Sequence, residues 1–176
     1  MFTENLLFYK EESLIMAFID TIKERAKADK KTIVLPESMD KRTYEAAEKI
    51  LKEGIANLVI IGTPEEIEKY GKGYDISGAT IVDPFNDPNK QKYIDKFVEL
   101  RSKKGVTPEM AKEQMEKDYM YYACLMCKCG DADGAVSGAC HSTGNTIRPA
   151  LQLLKTKPGI SSVSGCLLYT SPSPRD

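Results

Sequence analysis

Residues 134–149 read Gly134-Ala135-Val136-Ser137-Gly138-Ala139-Cys140-His141-Ser142-Thr143-Gly144-Asn145-Thr146-Ile147-Arg148-Pro149. The run passes from an apolar strand through a glycine turn and a polar loop into a helix. In an open parallel sheet the carboxyl ends of strands are where ligands bind. Loop 140–146 offers small residues and hydroxyls at a helix amino terminus. Free backbone N–H groups and the positive end of the helix dipole suit that place to an anion, phosphate in particular. Arg148 falls within the first turn or so, and its planar fork matches a pair of phosphate oxygens. Ser142, Thr143, Thr146 and Arg148 are therefore candidate phosphate-binding residues. The competing reading is a capped helix whose arginine merely lies on the surface. The loop is not a Walker A motif: five residues separate Gly138 from Gly144, and Asn145 stands where lysine is required. No strand is followed by G-x-G-x-x-G, so the dinucleotide fingerprint is absent.

Helices and strands alternate on either side of this run. Phe18, Ile19, Ile22 and Ala26 recur at helical spacing and predict an amphipathic helix ending near Asp29. Residues 32–35 form an apolar run closed by Pro36, a buried strand. A second helix, capped by Ser38 or Asp40, carries Tyr44, Ala47, Ile50 and Leu51 and stops at Gly54. Leu58-Val59-Ile60-Ile61 is the next strand. Thr63-Pro64-Glu65-Glu66 starts a helix with proline at its first position and acids in its first turn. Thr80-Ile81-Val82 is a third strand. Two longer helices follow, over 89–104 and 108–129, and a last one over 142–155. A further strand is expected to begin at Ile160–Val163. Strands separated by helices imply parallel pairing, and hence a three-layer α/β/α sandwich with a mostly parallel sheet.

Composition bounds the function classes. The chain has 176 residues, 41% hydrophobic and 29% charged, with a net charge of −1. That is a globular profile with no electrostatic pull towards nucleic acid or an anionic membrane. No run of about 18 apolar residues exists to make a membrane helix. No secretory signal is recognisable, and irregularly spaced cysteines fit a reducing, cytoplasmic setting.

Both ends depart from this pattern. Residues 166–176, CLLYTSPSPRD, break a buried strand and back-translate to a sequencing-library adapter, so they are expected to be non-native. Residues 1–15 are expected to be a non-native leader ahead of a start at Met16. The native domain is thus assigned to residues 16–165.

Other chemistry-bearing residues have simpler explanations. Cys124-x-x-Cys127-x-Cys129 offers zinc-like spacing, but it sits in a helical stretch beside Tyr121, Tyr122, Leu125 and Met126, and no second C-x-x-C follows. Buried cysteine commonly acts as a small hydrophobe, and no metal is expected. His141, the sole histidine, suits an acid–base role or a loop hydrogen bond equally. Asp20, Asp29, Asp131 and Asp133 read as caps and solvated carboxylates. Arg101 belongs to a cationic helix end that complements the dipole.

Several blocks carry a resemblance in a fixed order. They are Lys31-Thr32-Ile33-Val34-Leu35-Pro36-Glu37-x-x-Asp40-x-Arg42, Ala46-Ala47 with Gly54-Ile55-Ala56, and Ile81-Val82-Asp83-Pro84. Glu99-Leu100-Arg101, 132–139 and His141-Ser142-x-x-x-Thr146-x-Arg148-Pro149-Ala150 complete the set. In this order they resemble the phosphate acetyltransferases. The resemblance implies a fold like isocitrate and isopropylmalate dehydrogenases, with two α/β domains about a cleft and a homodimer as the assembly. It implies transfer of acetyl between coenzyme A and inorganic phosphate, with acetyl-CoA, phosphate and acetyl phosphate as partners and no permanently bound cofactor. Arg101 and Arg148 match family arginines associated with coenzyme A, and 142–146 matches the segment lining the cleft. The family's catalytic serine, arginine and aspartate belong to a carboxyl-terminal half that this chain lacks, so no catalytic residue is assigned here. The fragment is expected to be inactive and marginally stable alone. Phosphate butyryltransferase, the related domain of large malic enzymes, and a non-catalytic phosphate- or nucleotide-binding module are the alternatives.

Overall fold

The computed structural model describes residues 18–160, so the expectations for 1–15 and 166–176, and most of the strand expected from Ile160, lie outside the described residues. The architecture is the expected α/β sandwich. Strands β1 (Thr32–Leu35), β2 (Asn57–Ile61), β3 (Thr80–Val82) and β4 (Gly134–Ala135) form one sheet in the order β3-β2-β1-β4. All pairings are parallel: Val34 lies opposite Val59 and Ala135, and Ile60 opposite Ile81.

The strands are apolar on both faces because helices cover both. Leu35, Leu58 and Ile60 face one way, onto Tyr44 and Ala47 of α2 (Lys41–Glu53) and Ile67 of α3 (Pro64–Gly71). Val34, Val59 and Ile61 face the other. There they meet α4 (Lys90–Arg101), α5 (Pro108–Lys117), α6 (Tyr119–Cys129) and α7 (Thr143–Leu153). Aromatic rings fill this second layer, Tyr93 edge-on to Tyr122 at 5.1 Å and Phe97 stacked on Tyr121 at 5.6 Å. Their buried hydroxyls need partners. Tyr93 donates to Asp131 at 2.9 Å, and Tyr122 donates to Asp87.

Three helices differ from the sequence pattern. The stretch 108–129 is two helices, because Asp118 is extended (φ −141°, ψ 100°). Its N–H closes α5 on Gln114 and its carboxylate caps α6 by accepting from Met120 at 3.0 Å. Helix formers such as Glu116, Lys117 and Met120 around it masked a single residue that serves both ends, one with its N–H and the other with its carboxylate. The stretch 89–104 stops as α-helix at Arg101 and finishes as a 3-10 turn, Ser102–Lys104, before Gly105 at φ 70°. Helix α1 is helical over 18–28, yet Phe18, Ile19 and Ile22 of its apolar stripe are exposed. The Lys23–Glu53 ion pair, 2.7 Å, ties it to α2 instead. A second apolar surface is a groove of about 400 Å3 on the outer side of α7, lined by Met120, Ile147, Ala150, Leu151, Leu154 and Ile160.

Close approach at the sheet's carboxyl edge demands glycine. A Cβ on Gly62 would lie 2.4 Å from Ser38 Cβ, while Ser38 is itself held by Glu66 at 2.8 Å. Gly62→Ala should therefore lower the unfolding free energy by about 1–3 kcal/mol, as overpacking does. Urea denaturation checks this, and an unchanged midpoint contradicts the packing account.

Candidate functional site

The chain lays down β1, β2 and β3 towards one side and then places β4 on the other side of β1. Loops leaving β1 and β4 therefore diverge, which opens a crevice at the topological switch point. The β1 loop carries Glu37 and the β4 loop carries 136–142.

Glu37 fills the base of this crevice and is buried. Its Oε2 accepts from the backbone N–H of Gly138 (2.9 Å) and Ala139 (2.8 Å). Its Oε1 accepts from the N–H of Cys140 (3.0 Å) and His141 (3.2 Å) and from the Cys140 thiol (3.3 Å). The His141 ring adds Nδ1 at 2.6 Å from Oε1. A carboxylate only accepts, so Nδ1 carries the hydrogen. Burial pushes the Glu37 carboxyl up, but the Cys140 amide, the His141 ring and the Ala139 amide outweigh it and hold the group at about 2 against the usual 4.5. The same closeness acts oppositely on the Cys140 thiol, which burial and then Glu37 push up to about 11.

The segment after Glu37 grips the loop's other polar face. Arg42 donates to the Ala139 carbonyl and forks onto Asp40, with Nε 3.0 Å from Oδ1. Arg42 holds the Asp40 carboxyl at about 2, and Asp40 in turn caps α2 by accepting from the Arg42 N–H at 2.9 Å. Thr43 donates to the Glu37 carbonyl and Tyr44 to that of Ser38, at 2.9 and 2.7 Å. The turn that presents Glu37 is thereby fixed from α2.

Helix α7 leaves the loop with Ser142 as its cap, the hydroxyl accepting from Asn145 at 3.3 Å. Thr146 donates its hydroxyl back to the Ser142 carbonyl at 3.2 Å, and Thr143 is exposed in the first turn. Arg148 is exposed on α7, and Arg101, half-buried, ends α4. The two come from different elements. Phe97, one turn before Arg101, stacks on the Tyr121 ring, and Gln152, one turn after Arg148, meets its hydroxyl, so both arginines lie on the helices that flank Tyr121. Burial and Asp118 raise the pKa of that hydroxyl, and the two guanidiniums only partly oppose them. Among the described residues no carboxylate pairs with either. The Tyr121 hydroxyl donates to Gln152 at 3.3 Å. Ser137 Oγ is buried with no partner among the described residues.

Of the residues expected from sequence, Ser142, Thr143, Thr146 and Arg148 thus share α7's amino-terminal turns, and Arg101 ends α4, which packs against α7. The anion-attracting amides at 138–141, however, are taken by a side chain that pattern reading did not assign a role. The signal was an acid two residues beyond β1, facing a glycine turn on the neighbouring strand.

Cys124 is in the core, and burial pushes its thiol up to about 12, as a packed hydrophobe requires. Asp131 pairs with Lys92 at 2.6 Å and Asp133 accepts from the Thr32 N–H at 2.8 Å. Glu37, Cys140 and His141 place one ligand atom each within 4.8 Å. Zinc accepts that donor set in principle. Here both carboxylate oxygens already take two backbone N–H groups each, which a metal would strand, so the cluster works as a hydrogen-bond clamp.

A parallel sheet with a switch point, two guanidiniums without a carboxylate partner among the described residues and a hydroxyl-rich helix start define an α/β domain with a candidate ligand edge. The family model for phosphate acetyl/butaryl transferase matches residues 17–175, and the chain belongs to that family. A phosphate acetyltransferase of Thermoanaerobacterium thermosaccharolyticum is 48% identical over 158 residues, covering 90% of this chain and 48% of its own length. One from Acetivibrio thermocellus is also 48% identical, over 90% of this chain and 47% of its own. Among solved structures, a phosphotransacetylase from Streptococcus pyogenes superposes with a TM-score of 0.78 at 37% identity, over 84% of this chain and 45% of that one. The EutD phosphotransacetylase of Staphylococcus aureus gives 0.77 at 34% identity, over 84% and 44%. The chain spans about half the length of the curated relatives it matches.

The clamp has a pH signature. Folded Glu37 holds its proton less readily than the unfolded chain, so its hydrogen bonds contribute fully above pH 4.5 and are lost as pH falls through about 2. The stability difference between the wild type and Glu37→Gln should shrink across that window. Urea midpoints measured from pH 6 to about 2 test this. A difference that stays constant contradicts an ionised, clamped Glu37.

Proposed function

We propose that the whole protein is a phosphate acetyltransferase and that this chain supplies the side of its cleft that binds coenzyme A. The observation that carries the reading is that Arg101 and Arg148, unpaired by any described carboxylate, lie on α4 and α7, two helices that pack on each other and flank Tyr121 through Phe97 and Gln152. Coenzyme A is rich in phosphate, and bidentate guanidinium–phosphate pairs are what such a site offers. Ser142, Thr143 and Thr146 line the same edge. Acetyl is favoured over butyryl because relatives sharing 48% identity are named phosphate acetyltransferase.

In the reaction, the coenzyme A thiol gives its proton to a base and the thiolate attacks the carbonyl carbon of acetyl phosphate. A C–S bond forms, the C–O bond to phosphorus-bound oxygen breaks, and inorganic phosphate leaves. Acetyl-CoA and phosphate regenerate acetyl phosphate by the reverse path. The base and the donors for the developing oxyanion come from the remaining half of the polypeptide, facing this one across the cleft. Substrates are small molecules alone, with no permanent cofactor. A homodimer in the cytoplasm completes the proposal. Among the described residues, no helix is long and apolar enough to cross a membrane.

Full-length protein should make acetyl phosphate from acetyl-CoA only when phosphate is added. Arg101→Ala and Arg148→Ala should each raise KM for coenzyme A about tenfold, with kcat changed little. The 176-residue chain alone should show no turnover. Full activity from the isolated chain, or arginine variants with unchanged KM, would refute the assignment.

A further inference from the structure

We infer that Glu37 is a positioning residue of this site: its carboxylate, seated where an anion would sit in the 138–141 turn, sets the loop that presents Ser142, Thr143 and Arg148 to the phosphates of coenzyme A. The inference rests on the functional reading above.

Four consecutive backbone N–H groups converge on one carboxylate, at 2.8–3.2 Å. Successive N–H groups aimed at one point form an anion-binding concavity. Here the anion belongs to the neighbouring strand, tethered two residues beyond β1 and buried, so it does not exchange with solvent anions. Little else holds the loop. Gly138, Ala139, Cys140, Ser142 and Thr143 are all exposed, so apolar packing cannot fix their position. The carbonyl side is fixed by Arg42 on Ala139, from the same 37–42 segment. One short stretch after β1 thus grips both polar edges of the β4 loop. His141, the last residue in the grip, precedes the α7 cap, so any displacement passes directly to Ser142 and Thr143.

Glu37→Gln keeps size and shape but turns one acceptor into an NH2 group facing N–H donors. Gly138→Ala perturbs the same turn while leaving the Glu37 carboxylate itself intact. Its φ of +118° strains any side chain, and a Cβ there meets nothing within 4 Å. Gly73→Ala, at φ +95° and equally open space, carries the same backbone strain after α3 and serves as the control.

Steady-state kinetics of the full-length enzyme decide the matter, with melting temperatures recorded for each variant. Glu37→Gln and Gly138→Ala should both raise KM for coenzyme A about tenfold while kcat stays within about twofold, because the reacting groups lie elsewhere. Gly73→Ala should leave both constants unchanged. Folded variants with wild-type KM overturn the inference. So does a loss of kcat in proportion to lost folded protein, which is the mark of a purely structural clamp. If Glu37→Gln does not fold, Gly138→Ala decides, and failure of both to fold assigns the clamp to stability alone and overturns the inference. A wild type without phosphate-dependent acetyl transfer refutes the functional reading instead, a result distinguishable from all of these.

Discussion

A buried carboxylate has to be answered by donors, and the answer given to Glu37 organises the carboxyl edge of this sheet. Its oxygens accept four backbone N–H groups, a thiol and an imidazole N–H. Hydrogen bonds to a charged group contribute on the order of 1.5–3 kcal/mol each, and stranding a buried charge costs more than any one of them. The β4 loop therefore has one place to be. A glycine at φ +118° opens the turn, small residues keep its amides accessible, and the helix cap follows within a few residues. Anchoring by backbone amides also tolerates side-chain change at 139, since there the clamp reads only the chain's N–H group.

The sheet supplies the reason that these two loops meet. With β4 added to the opposite edge of β1 from β2, the loops after β1 and β4 leave neighbouring strands at the switch point. Helices α4 to α7 then pack on one face through an aromatic layer, in which Tyr121 touches Phe97 of α4, one turn before Arg101, and Gln152 of α7, one turn after Arg148. The candidate ligand edge is thus assembled from four segments distant in sequence, each held by a different device: an apolar strand, a carboxylate clamp, a capped helix and a stacked ring pair.

Much of this was legible in the sequence. Apolar runs closed by proline or glycine marked the strands, and Thr63-Pro64 and Thr107-Pro108 marked helix starts that the structure caps as expected. The Ser142 cap was legible as well, and its hydroxyl accepts from Asn145 at the start of α7. What stayed hidden was long-range. No periodicity shows that Glu37 would reach the N–H groups of residues 138–141, about a hundred positions away, because the link is set by strand order. The break at Asp118 was hidden for a local reason, since helix-forming residues surround a residue whose extended backbone is stabilised by capping both neighbours. The exposed stripe of α1 shows the converse, a pattern that gives the helix but not what covers it.

The central claim is that a clamped loop and two arginines hold a phosphate-bearing substrate at the β1–β4 switch point. A crystal structure of the full-length protein with coenzyme A bound tests it most directly. The account predicts phosphate oxygens within hydrogen-bond distance of the Arg101 and Arg148 guanidiniums, with the Glu37 carboxylate still on the amides of 138–141. Coenzyme A phosphates seated away from both arginines, or Glu37 withdrawn from the loop when the ligand is bound, would contradict it.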